Sequence, residues 1–373
     1  MEKIIIPESL HIVLDDLGWF NGKDDRENGG PSRTGMPRRH CPADYRAVDE
    51  LGRRIGMKIN CAFVIGEWDP DNRLRAIPNL SKYGDAWDNA SYYDENLMRE
   101  CIEIIDSSDY IDFTVHGLLH GNYRNPSDAH NCSDFYFRLN GETIMINEPE
   151  IRQRLDAYFE LARYQGITKK IDSFVPPCFC YRRNELSRIL ADYGIKFIST
   201  TFRHDTVRFG DDKVRRVLVE NGLINLERNN NFVPWYAVAY DPSHLPPLTG
   251  IMGIHWVNIL HRDPDKNGES VEKWVQYFTK CANTYGIVLS SSIEFAATHS
   301  LYRRYAKSSC EDGVLTVNVS DVPDSGAKGD SFVVSSLEPI TSYSGCNLEL
   351  YQDKGRFKNY RVTPTEEIIT LKA

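Results

Sequence analysis

Five residues at three places along the chain carry the chemistry this sequence can do. Asp15 and Asp16 stand together at the end of the short apolar run His11-Ile12-Val13-Leu14. Successive residues at a strand end point in different directions, so one carboxylate can hold a metal while its neighbour moves a proton. The plainer alternative is that they cap the following turn. His116 and His120 stand four apart in His116-Gly117-Leu118-Leu119-His120. On a helical turn that spacing puts two imidazoles on one face, close enough to share an ion. With ten His in 373 residues, about 0.3 such pairs arise by chance, so the spacing suggests without deciding. His255 closes the apolar stretch Ile251-Met252-Gly253-Ile254 and precedes Trp256; it reads either as a proton carrier at a strand end or as a hydrogen-bonded core histidine.

Lesser candidates surround these. Pro176-Pro177, after Phe174-Val175, fixes a rigid extended turn. Trp19, Trp87 and Trp256 offer flat faces for a sugar ring, although most Trp residues simply pack. Asp24-Asp25 lies in a polar loop and reads as a solvated pair. His204 and His261 lie in polar segments and read as surface residues.

The elements that must position these groups alternate. Strand patterns cover residues 11–14, 58–66, 110–115, 171–175, 196–200, 251–255 and 287–291. Helical spacing covers 45–57, 94–106, 150–164, 184–193 and 271–285. Such alternation implies βαβ units and a parallel sheet or barrel, and in parallel barrels the site forms at the carboxyl ends of the strands. Each motif above sits at such an end. Two polar stretches, 21–42 and 121–148, interrupt the series. From residue 308 the helical signal stops and β-rich segments alternate. The expected organisation is a parallel βα sheet or barrel over residues 1–307 and an antiparallel β module over 308–373 that supplies no catalytic group.

Composition narrows the class. Hydrophobic residues make up 41% and charged residues 26%, as in ordinary globular proteins. The net charge of −9 argues against a general nucleic-acid binder. No apolar stretch approaches a membrane span or a signal h-region. Nine scattered cysteines without a Cys-x-x-Cys pair read as reduced thiols in a cytoplasmic protein.

Taken in order, the motifs resemble the polysaccharide deacetylase family, carbohydrate esterase family four, over about residues 4–297. The resemblance implies a distorted parallel (β/α) barrel. It makes Asp15 the general base, Asp16, His116 and His120 the ligands of a divalent metal, commonly zinc, and His255 the general acid. It implies hydrolysis of an N-acetyl amide or O-acetyl ester on an acetylated carbohydrate, with Trp19, Pro177 and Trp256 beside the substrate. Two departures stand out. Gly117 occupies a position where the family usually carries Ser or Thr. The family's Arg partner of the base has no counterpart in residues 171–175, and Arg182 and Arg183 are the nearest substitutes. Two other functions remain open: a metal-independent glycoside hydrolase on a related barrel, and a non-catalytic carbohydrate-binding protein.

Overall fold

The computed structural model describes residues 4–28, 30–125, 133–202, 217–229 and 232–373; His204 lies outside them. Seven parallel strands form the centre: β1 (Ser9–Leu17), β2 (Ile59–Phe63), β3 (Ile111–Val115), β4 (Ser173–Phe174), β5 (Phe197–Thr200), β6 (Leu223–Asn229) and β7 (Gly250–His255). Each pairs with the next, and β7 pairs with β1 from Gly250↔Leu10 to His255↔Asp15, which closes a barrel. That last register sets His255 directly beside Asp15. Strand β6 was not read from the sequence; an antiparallel partner, Val217–Glu220, precedes it.

Among the described residues, six α-helices surround or close the barrel: α1 (Pro42–Ile55), α2 (Glu95–Ser107), α3 (Glu148–Tyr164), α4 (Glu185–Asp192), α5 (Asn267–Tyr285) and α6 (Ile293–Tyr305). Their ends follow local chemistry. Pro42 opens α1, and Gly56 ends it in the left-handed region. Asp94, Asn147 and Ser292 each accept a backbone N–H at the start of α2, α3 and α6.

Helix α6 has two jobs. Ile293, Ala296, Ala297 and Leu301 share a core cluster with Val13, Ala62, Phe197, Leu226 and Ile251 of five barrel strands. Tyr302 packs into the β module beside Phe332. Burying a side chain such as Leu301 or Ile293 is worth about 1.5–3 kcal/mol, so this helix fastens the two parts together.

The β module holds two four-stranded antiparallel sheets. One contains Lys307–Glu311, Val314–Asn318, Ile368–Lys372 and Ser342–Ser344; the other contains Phe332–Ser336, Lys358–Pro364 and Cys346–Asp353. The fourth strand of the second sheet is Ile4–Ile5, paired with Ser335 and Ser336. The sheet read as residues 308–373 thus takes a strand from the start of the chain. No helix of the described residues is long and apolar enough to cross a membrane. Cys178 is disulfide-bonded, which corrects the expectation of uniformly reduced thiols and removes that argument for a cytoplasmic setting.

Candidate active site

The last residues of β1 create the centre. Asp15 is still extended and faces the barrel mouth, while Asp16 turns to φ 68. The register against β2 shifts between Leu14 and Leu17. This bulge sends the two carboxylates different ways. Both are buried.

Asp16 faces the histidines. Its Oδ1 lies 3.5 Å from His116 Nε2 and 3.7 Å from His120 Nε2, and its Oδ2 lies 3.8 Å from His255 Nε2. His116 Nδ1 donates to the Val175 carbonyl at 2.7 Å. A carbonyl only accepts, so the ring proton sits on Nδ1 and the Nε2 lone pair faces Asp16. One ligand atom from each of Asp16, His116 and His120 falls within 4.8 Å of the others. Asp16 Oδ1 and both nitrogens of His120 are buried without a hydrogen-bond partner. Leaving such atoms unpaired is costly, and a divalent cation satisfies a carboxylate and two imidazoles together. The residues present therefore fit such an ion.

The electrostatics agree. Burial raises the Asp16 pKa, but the imidazoles of His116, His120 and His255 around it outweigh burial and hold the carboxyl well below its usual range. Burial pushes His120 down to about 4, which keeps the imidazole neutral, the form that binds a metal.

Asp15 has a different partner. Arg228, at the end of β6, donates from Nη1 to Oδ1 at 3.0 Å and from Nη2 to Oδ2 at 2.7 Å. Burial raises the Asp15 pKa; Arg228, then His116 and His255, more than cancel this and leave the carboxyl ionised. Arg182 and Arg183, the substitutes expected from sequence, pair instead with Glu185 and Glu220.

Asp15, Asp16, His116, His120 and His255 all line one cavity of about 420 Å³. Of these five, His255 is the most open, with a side chain 26% exposed. Trp235 also lines the cavity, its ring 6.4 Å from that of His255 and 4.4 Å under the Arg26 guanidinium. Arg26 and Ser32 come from the long loop after β1. That loop is anchored by a buried chain: Thr34 Oγ1 donates to His40 Nε2 at 2.8 Å, and His40 Nδ1 donates to Asp44 Oδ2 at 3.1 Å. The order resembles a hydrolytic triad, but Thr34 is fully enclosed, so it serves as an anchor.

The three residues expected beside the substrate lie elsewhere. Trp19 and Trp256 are fully buried, Trp256 stacked on His40 at 4.0 Å. Pro177 is buried in a short turn, and its neighbour Pro176 lines the cavity instead. Trp87 borders a separate cavity. His261 lies apart, on the polar segment ahead of α5, its backbone N–H bonded to Asn267.

No protein-family model matches the chain, and no curated protein does. Among solved structures it is similar to a 4-alpha-glucanotransferase from Thermococcus litoralis, at 14% identity and a TM-score of 0.38, over 76% of this chain and 38% of that one. It is also similar to a GH57-type branching enzyme from Pyrococcus horikoshii, at 11% identity and a TM-score of 0.42, over 77% of this chain and 69% of that one. This chain thus spans well under half of the glucanotransferase. Likenesses this distant carry no argument about activity. The resemblance to polysaccharide deacetylases is corrected: no family model supports it, and neither structure is a deacetylase. Zinc dependence as a family trait and the removal of acetyl groups rested on that resemblance and fall with it.

Proposed function

We propose that this chain is a carbohydrate-directed hydrolase that works at the mouth of its barrel and holds a divalent cation among Asp16, His116 and His120. The observation that carries the reading is the convergence of those three ligand atoms within 4.8 Å, in one cavity with Asp15 and His255. When bound, the cation supplies Lewis acidity to a water and to the bond that breaks. Asp15 stays ionised beside Arg228 and accepts the proton of the attacking water, through the lone pairs the guanidinium leaves free. His255, the open member at the rim, delivers a proton to the departing group. Carbohydrate as the substrate class is supported by Trp235, whose ring stands beside His255 in position to stack on a sugar.

The test is hydrolysis of a panel of α- and β-linked oligosaccharides by chelator-stripped and cation-reloaded protein, with products read by mass spectrometry in ¹⁸O water. Turnover that needs the cation and carries ¹⁸O into product supports the proposal. Full turnover after stripping overturns the cation. It would favour a second reading, a metal-independent glycoside hydrolase, for which the observation is that two carboxylates, Asp15 and Asp16, line the same cavity.

A further inference from the structure

The turn that carries His116 and His120 is not helical. Gly117 has φ +112 and His120 has φ 54, so neither imidazole is placed by regular hydrogen bonding. Backbone bonds fix one side: Ile65 N–H donates to Gly117 O at 3.3 Å and Gly66 N–H to Leu118 O at 2.6 Å. The other side belongs to Asp134. Its Oδ1 accepts from Leu118 N–H at 3.2 Å and from Leu119 N–H at 3.1 Å. Its Oδ2 has no partner among the described residues, and it lies only 2.1 Å from where a Cβ on residue 117 would stand. Gly117 and the carboxylate therefore exclude any side chain between them. The carboxylate fills that room and grips two of the three amides that separate the histidines.

A second residue holds Asp134 in turn. Arg154 of α3 is almost completely buried and makes no ion pair within contact distance among the described residues. Its guanidinium donates to the carbonyls of Asp134 and Pro78, and at 3.5 Å to that of Gly121, the residue after His120. A buried cation spent on three carbonyls is expensive, and here it braces the turn and its clamp from one point.

We propose that Asp134 is the positioning residue of the cation site, setting the separation and aim of His116 and His120 through the amides of Leu118 and Leu119. The inference rests on the proposed cation site. Groups that orient metal ligands typically account for about 10- to 100-fold in metal affinity.

The experiment is titration of the full chain with cobalt(II) against a competing chelator, with the visible spectrum recording the coordination geometry. Wild type should bind about one ion. Asp134→Ala should bind about 10- to 100-fold more weakly, with an altered spectrum. Asp134→Asn keeps an oxygen that accepts from both amides, and should recover most of the affinity and the wild-type spectrum. Gly117→Ala retains the carboxylate but pushes it aside, and should resemble Asp134→Ala; it serves if Asp134→Ala does not fold. A folded Asp134→Ala or Gly117→Ala with wild-type affinity and spectrum overturns the role of Asp134, even if its melting temperature has dropped. Wild type that takes up no cobalt overturns the cation site itself, and this inference with it.

Discussion

Arg228 grips Asp15 with both of its terminal nitrogens, across 213 positions of sequence and inside the barrel mouth. The fork does two things. It keeps the carboxylate ionised against burial, and it fixes the plane in which the remaining lone pairs point. A lysine could supply the first and not the second. Replacing Arg228 by Met leaves a buried carboxylate alone, which costs about 3–5 kcal/mol. Urea unfolding at pH 7 should show that loss. A variant as stable as wild type would mean that water already serves Asp15.

Asp15→Asn should keep the cation and lose turnover by about 100- to 10,000-fold, the usual range for removing a general base. Metal content and rate are measured on one preparation. Near wild-type turnover would remove Asp15 from the reaction.

His255→Ala should show where the second proton goes. Substrates whose leaving group needs a proton, such as alkyl glycosides, should lose far more rate than nitrophenyl sugars, which depart unaided. Equal losses on both, together with a lower melting temperature, would return His255 to a packing role.

Cation binding should stabilise the fold. At a free concentration about 100 times Kd the gain is about 2.7 kcal/mol. His116→Ala and His120→Ala should each abolish that increment in thermal unfolding. An increment unchanged in both would place the cation elsewhere.

His299 predicts a response to acid. Val333 N–H donates to its Nδ1 at 3.3 Å, and its Nε2 donates to Pro7 O at 2.9 Å, a pattern only the neutral ring supports. Burial pushes its pKa down to about 4, with the bond to Pro7 opposing. The folded value lies below the ordinary 6.5, so the stability is present above pH 6.5 and is lost as pH falls toward about 4. A shift of this size corresponds to roughly 3 kcal/mol. His11, also lowered to about 4 by burial, adds a second contribution. His299→Asn should therefore flatten, without abolishing, the fall in unfolding free energy between pH 7 and pH 4.5. An unchanged slope would clear His299.

The sequence showed some of this and hid the rest, for physical reasons. Asp15, Asp16, His116, His120 and His255 stood out because each follows a strand in a βα series, and such ends meet at one rim. Arg228 did not, because β6 was passed over. Its signal was the Asn221-Gly222 pair, both residues in the left-handed region and joining two strands as a tight hairpin turn requires. Helix α6 was missed because it is covered on nearly every side, so no polar stripe marks its period. Trp19 and Trp256 offer sugar-stacking faces and stand beside the motifs in the sequence. Place in sequence does not give side-chain direction, and both point into packing; Trp235, in a stretch without periodicity, lines the cavity together with Phe179.

The strand Ile4–Ile5, bonded to Ser335 and Ser336, ties the fold to the direction of synthesis. Residues 4 and 5 are made about 330 positions ahead of Ser335 and Ser336, so their sheet waits for that distant partner. Contacts of such long sequence separation form slowly. The nascent barrel therefore carries the Ile4–Ile5 segment without its sheet partner until residues 335 and 336 have been made.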